Sequence, residues 1–205
     1  MSAVRVAVSG GIGSGKSVVC RMLRAMGFRV YDTDARAKAL MDRDAGIQRR
    51  LCEEIHPLAV REGCIDRPLV ASVVFASAPK LEALDRIVHS AVRRDLEAWY
   101  GRHGSDPVLF VETAILYRSG LDRMVDRVWE VSAPDALRVS RVMARNGLSA
   151  SEVRARIDAQ RFIPDRPHPS IAGITNDGIA PLLPQVEGRL SEILLSNQTP
   201  STLKK

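Results

Sequence analysis

Short apolar runs alternate with longer amphipathic ones along the 205 residues of this chain. Val4-Arg5-Val6-Ala7-Val8 is β-branched and runs into glycines, the pattern of a strand entering a tight turn. From Ser17 to Met26, the residues Val18, Val19, Met22, Leu23 and Met26 form a helical stripe, and Gly27 stands where such a helix ends. Phe28 to Tyr31 reads as a second strand. Residues 35–55 read as helix interrupted near Gly46, and residues 68–103 as two helices broken at Pro79, the second one long. Residues 107–112 and 127–133 are apolar and strand-like; helices are expected at about 135–145 and 149–160. A proline-rich loop at 164–170 leads to a last strand near Ile171 to Thr175 and a helix from about Ala180 to Leu195. The polar tail from residue 196 is expected to fray. No internal repeat interrupts this order, and strands alternating with helices predict a parallel sheet covered by helices on both faces.

Composition narrows the picture. At 45% hydrophobic the chain can build one well-packed domain with a small insertion. Thirty basic residues against 24 acidic ones, with no long block of one sign, favour an anionic partner such as a nucleotide or a phosphorylated substrate. A solubilising surface is the plainer reading of the same charge. Cys20, Cys52 and Cys64 have no metal-type spacing and read as reduced thiols. The N-terminus lacks a basic-then-apolar leader, and no apolar run approaches the roughly 20 residues of a membrane span. A soluble, cytoplasmic protein without a membrane partner is therefore expected.

The glycine run changes the picture most. Gly10-Gly11-Ile12-Gly13-Ser14-Gly15-Lys16-Ser17 fits G-x-x-x-x-G-K-[ST] between an expected strand and an expected helix, the context this phosphate loop requires. Glycines let successive N–H groups turn inward around a phosphate chain, and the helix adds its positive N-terminal end. Lys16 then reaches the outer phosphates, and the Ser17 hydroxyl can ligate magnesium. A dinucleotide fingerprint counted from Gly11 fails, because its last glycine position falls on Lys16.

A phosphate loop alone does not separate kinase, switch and motor. The N-K-x-D base reader of guanine-nucleotide switches and the L-S-G-G-Q signature of transporter ATPases are both missing from the sequence. A small-molecule kinase remains. Tyr31-Asp32-Thr33-Asp34 closes the second expected strand, which puts both carboxylates at the ligand-binding edge of an open α/β sheet. Asp34 could orient or deprotonate a hydroxyl, whereas Asp32 or Thr33 could simply cap the next helix. Arg138, Arg141 and Arg145 share a helix; Arg141 and Arg145, four apart, could clamp phosphates or form a solvated basic face. Aromatic content of 4% without basic-aromatic interleaving argues against nucleic acid.

The ordered set of motifs resembles the dephospho-CoA kinase family. It comprises GGIGSGKS at 10–17, VYDTDARAKAL at 30–40, GCIDRPL at 63–69 followed by Val74-Phe75, and LEALDRIVH at 81–89. The Arg-rich stretch 136–160 ending in Gln160, and the turn Ile174-Thr175-Asn176-Asp177-Gly178, complete the likeness. The resemblance implies a P-loop three-layer α/β/α fold with a mostly parallel five-stranded sheet. It implies one domain over 1–196, with core at about 1–35, 105–135 and 171–196, an acceptor-binding helical region at 36–104, a lid at 136–170 and a tail at 197–205. It also implies phosphorylation of the ribose 3′-hydroxyl of dephospho-CoA by ATP with Mg2+. Asp34, Lys16 and Arg141 would be catalytic, and Asp34 and His89 would bind the acceptor. Gly11, Gly13, Ser14, Gly15, Lys16, Ser17 and Val18, with Asn176 near the adenine, would bind the nucleotide, and Ser17 the metal. Another P-loop kinase acting on a nucleotide, nucleoside or small hydroxy acid is the alternative, and a nucleotide-dependent binding protein the more distant one.

Three features depart from the family's pattern. Ser90 follows His89 where proline is usual, Arg118 stands in place of a glutamate, and Ser170-Ile171 replaces an Ala-Asp pair. They cluster around the expected acceptor site and lid, away from the phosphate loop.

Overall fold

The computed structural model describes residues 3–160 and 165–198. The chain forms two compact units, residues 1–31 with 103–205, and residues 32–102.

The first unit is built on a five-stranded sheet with strand order β2-β5-β1-β6-β7. Its strands are β1 (Val4–Ser9), β2 (Arg29–Asp32), β5 (Val108–Glu112), β6 (Arg127–Ser132) and β7 (Ile171–Thr175). Strand β1 runs parallel to β5, with Val8 opposite Glu112, and parallel to β6, with Ser9 opposite Glu130. Strand β6 runs parallel to β7. The central strands are apolar on both sides. Val6 and Val8, Phe110, Trp129 and Val131 face α1 (Lys16–Ala25) and α8 (Leu182–Gln198), packing with Val19, Leu23, Val186 and Ile193. The alternate residues Ala7, Leu109, Val111 and Val128 are buried as well. Burial on both faces is why these strands read as continuous hydrophobic runs.

This unit also carries α6 (Asp135–Asn146) and α7 (Ala150–Ala159). Gly147, at φ 67, ends α6, and Ser149 opens α7 with a reciprocal capping box to Glu152. Val139 and Val142 of α6 pack on Val153 and Ile157 of α7. The Glu152 carboxyl is held below its ordinary range, first by the Ser149 hydroxyl and then by the Ser149 backbone N–H.

The second unit is helical: α2 (Thr33–Arg43), α3 (Ala45–Glu54), α4 (Arg67–Phe75) and most of α5 (Ala78–His103). Ile47, Leu51, Ile55, Val70, Val74 and Ile87 form its core. Aspartates start three of its helices: Asp32 accepts from Ala35 N, Asp44 from Gly46 N and Ile47 N, and Asp66 from Leu69 N. The helix break expected near Gly46 therefore falls at Asp44, because its carboxylate captures the next turn's amides. Pro79 is no break either. It lies in the first turn of α5, where a missing N–H costs nothing, and the interruption is at Ala76-Ser77. A two-stranded hairpin, β3 (Val60–Arg61) with β4 (Cys64–Ile65), adds an element absent from the sequence reading.

Among the described residues no helix is long and apolar enough to cross a membrane. Cys20 is buried, Cys52 half-buried and Cys64 exposed, all as free thiols. Residues 161–164 of the expected lid and 199–205 of the tail lie outside the described residues.

Candidate active site

The phosphate loop connects β1 to α1, and its backbone is one that only glycine tolerates at key points. Gly15 stands at the N-cap of α1 with φ 100, and a side chain there would run into the Asn176 amide. Gly13 has φ 78, and a Cβ would come within 2.7 Å of the Arg138 carbonyl oxygen. Since α1 starts with no side-chain cap, its positive end faces the loop unscreened.

Four side chains from distant parts of the same unit brace the loop. Asn176, directly after β7, donates from Nδ2 to Ser14 O at 2.8 Å. Arg141 on α6 donates to Asn176 Oδ1 at 3.2 Å and Asn176 O at 3.1 Å, and more weakly to Gly13 O at 3.4 Å. Arg138, one turn earlier, donates from Nε to Ile12 O at 3.0 Å and pairs with Asp135 at 2.8 Å. Gln160, the C-cap of α7, accepts the Ile12 N–H at 2.8 Å. The Ile12 side chain completes the attachment by packing on the α6–α7 core. The arginine pair that meets the loop is thus Arg138 and Arg141, not Arg141 and Arg145; the Arg145 Nε donates to Asn146.

Within the loop, Lys16 Nζ donates to Gly11 O at 3.3 Å, folded back over the turn. The Ser14 hydroxyl is buried with no hydrogen-bond partner among the described residues. A buried, unpaired hydroxyl is costly, and a bound phosphate oxygen would satisfy it, so the loop fits a polyphosphate. Ser17 is exposed on the first turn of α1, with no partner for its hydroxyl among the described residues. That leaves it open to a magnesium ion, a hard cation that takes oxygen ligands and is usually shared with substrate phosphates. Val18 N closes the first helical turn on Gly15 O at 2.9 Å.

A cavity of about 310 Å³ opens beside Gly10 and Gly11, lined also by Tyr117, Arg118, Glu130 and Gln160. Arg118, one of the departures from the family pattern, therefore faces a space that adjoins the phosphate loop. Ser170, another departure, lies in a turn where His168 Nδ1 accepts its N–H and Val128 N donates to its carbonyl.

Asp34 and His89 belong to the helical unit. Asp34 is exposed in the first turn of α2, and its carboxylate has no partner among the described residues. Asp32 takes the N-cap, separating the roles of the two carboxylates that the sequence left open. His89 on α5 is mostly buried, with Nε2 4.0 Å from the Asp85 carboxylate one turn away. Ser90 continues α5 without interruption and donates its hydroxyl to Ile87 O at 3.0 Å, where a proline would distort the turn.

The structure thus brings Gly11, Gly13, Ser14, Gly15, Lys16, Ser17, Val18, Arg141 and Asn176 into one cradle. It adds Arg138, which the sequence placed on the right helix without a task. It also adds Gln160, whose only sequence signal was its position at the end of the Arg-rich stretch.

Known proteins resemble this chain in sequence and in fold. Two relatives named dephospho-CoA kinase cover most of the chain. The one from Porphyromonas gingivalis is 38% identical over 157 residues, 77% of each chain; the one from Bacteroides fragilis is 33% identical over 184 residues, 90% of each. A solved Thermus thermophilus structure superposes with a TM-score of 0.77 at 33% identity, covering 98% of this chain and all of its own. A solved dephospho-CoA kinase from Campylobacter jejuni, at 22% identity and TM-score 0.64, covers 95% of this chain and 98% of its own and shares the fold. The family model for dephospho-CoA kinase matches residues 4–181, and the chain belongs to that family.

Proposed function

We propose that the protein transfers the γ-phosphoryl group of ATP to the ribose 3′-hydroxyl of dephospho-CoA, giving CoA and ADP. The carrying observation is the phosphate cradle, with its unpaired Ser14 hydroxyl and its bracing by Arg141 and Asn176, in a chain that matches this family over residues 4–181.

In this reading the loop amides and Ser14 hold the phosphate chain, and Lys16 moves from Gly11 O to the outer phosphates. Magnesium, when bound, neutralises phosphate charge; Ser17 supplies its protein ligand. Arg141 contributes a fixed positive charge at the loop, pre-oriented by Asn176. Asn176 also lies on the adenine side. Asp34 engages the acceptor hydroxyl, its carboxylate open to a new partner. His89, with its ring set against Asp85, serves the acceptor-binding helical region, and α6–α7 belongs to the lid that excludes water. Catalysis is mostly positioning and electrostatics, since phosphoryl transfer asks for little covalent help from the protein. The reaction takes place in the cytoplasm.

Arg118 in the cavity beside the loop favours one second reading, a different phosphorylated acceptor such as a nucleoside monophosphate. Both readings are tested by magnesium-dependent ADP release from ATP with dephospho-CoA, AMP, adenosine, shikimate or no acceptor, with the product identified by mass. Turnover with dephospho-CoA giving CoA is expected. Turnover with AMP alone would overturn the first reading in favour of the second.

A further inference from the structure

Gln160 has a second, unused end. Its Oε1 accepts the Ile12 N–H at 2.8 Å. A main-chain N–H can only donate, so this bond fixes which end of the carboxamide is oxygen and leaves the Nε2 end as a free pair of donors. Those donors have no partner among the described residues. The same side chain lines the cavity of about 310 Å³ shared with Gly10, Gly11, Tyr117, Arg118 and Glu130. A neutral, oriented donor therefore stands beside the first half of the phosphate loop. It is held there firmly, because Ile12 is fixed through its carbonyl by Arg138 and through its side chain by the α6–α7 core.

A donor of this kind needs an oxygen that accepts. The acceptor alcohol must surrender its proton and attack with a lone pair, so donation to it would weaken the nucleophile. Phosphoryl oxygens only accept, and they carry the charge spread during transfer. We propose that Gln160 is a substrate-contacting residue whose Nε2 donates to an oxygen of the phosphoryl group in transfer. The proposal rests on the phosphotransferase reading above. Gln160 exchanges no proton. The acceptor oxygen bonds to phosphorus, the bond from phosphorus to the ADP oxygen breaks, and the hydroxyl proton passes to Asp34 or water.

The test compares wild type with Gln160→Glu and Gln160→Ala. Glutamate keeps an oxygen for the Ile12 N–H but replaces the donors with an anion. Gln160→Glu should lower kcat about 10²-fold, the scale of one lost transition-state donor, with ATP affinity by calorimetry and both KM values within about threefold. Its kcat relative to wild type should rise as pH falls from 8 towards 5.5, since a protonated carboxyl regains an O–H donor. Gln160→Ala should lose a similar factor without that pH dependence. A kcat within about threefold of wild type in either variant, a loss confined to KM, or a pH-independent ratio for Gln160→Glu would each overturn the proposal. Turnover is read with whichever acceptor of the panel works best, or as hydrolysis when none does. The acceptor's identity and the role of Gln160 are thereby decided separately.

Discussion

The phosphate loop and the helical unit carry their candidate residues in opposite ways. Around the loop, Asn176, Arg141, Arg138 and Gln160 arrive from more than 120 residues away in sequence, and nearly every contact ends on a main-chain atom. In residues 32–102 the polar contacts are chiefly helix caps and ion pairs such as Arg36 with Asp95, and the Asp34 carboxylate has no partner among the described residues. The first arrangement fixes backbone amides before any ligand binds, so little reorganisation remains at the moment of transfer. The second leaves a carboxylate free to be positioned by the ligand itself. Changes at the loop should therefore divide into mainly chemical and mainly architectural ones, whereas at Asp34 chemistry should be lost at little cost to the architecture.

The largest expected effect is chemical and lies in the loop. Lys16→Ala should reduce kcat by about 10³-fold, since it removes a cation from the phosphates, while thermal stability changes by less than about 2 °C. Its contact to Gly11 O, at 3.3 Å, is long for a hydrogen bond. Steady-state ADP release and a melting curve on the same sample decide the matter. A comparable loss of stability would mean that Lys16 is part of the scaffold.

Asp34→Asn comes next, at about 10²-fold in kcat with unchanged ATP affinity. Removing a charge from the first turn of α2 should cost about 0.5 kcal/mol through the helix dipole. If kcat stays within threefold while stability drops by that amount, Asp34 is a helix-terminus charge and nothing more.

Gly15→Ala should affect architecture before chemistry. At φ 100 a side chain is strained, by about 1–3 kcal/mol, and its methyl would meet the Asn176 amide. Denaturant unfolding and ATP titration should both register the change. Adding Asn176→Ala should return part of the stability, because it removes the clash but not the strain. No recovery in the double variant would mean that backbone strain alone accounts for the loss.

This contrast also explains what the sequence made legible. The loop could be read because its glycines answer a local backbone requirement at fixed spacing, and the central strands because both faces are buried. Helix breaks were misplaced where a side chain decided the outcome: Asp44 caps α3 before Gly46 can act, and Pro79 is harmless in a first turn. The β3–β4 hairpin escaped because two-residue strands show no alternation. Its turn, with Glu62 at φ 51 and Gly63 at φ 76, depends on a conformation that a Glu-Gly pair signals only weakly. Among the arginines of α6 the spacing of four favoured Arg141 with Arg145, which is not the pair that meets the loop. The choice of Arg138 with Arg141 arises from where Ile12 and Gly13 present their carbonyls, 126 and 128 residues away in sequence.

The smallest effect should appear in the turn that holds Asn176 in place. Asp177 Oδ1 accepts the Ala180 N–H at 2.8 Å and the Ile179 N–H at 2.9 Å, and these bonds hold its carboxyl below the ordinary aspartate range. A carboxyl whose folded pKa is depressed adds stability that is present above its unfolded pKa and lost as pH falls through the folded one. The turn should therefore be fully ordered at neutral pH and loosen only in acid, below the range where free aspartates titrate. Carbon-detected NMR titration of Asp177, with the Ala180 and Ile179 amides followed alongside, should give a midpoint below the ordinary aspartate range. Asp177→Asn should abolish that titration and slightly weaken ATP affinity through Asn176, while leaving the helical unit's resonances unmoved. An Asp177 midpoint within the ordinary aspartate range would mean that the turn owes its shape to Gly178, at φ 84, and not to the carboxylate.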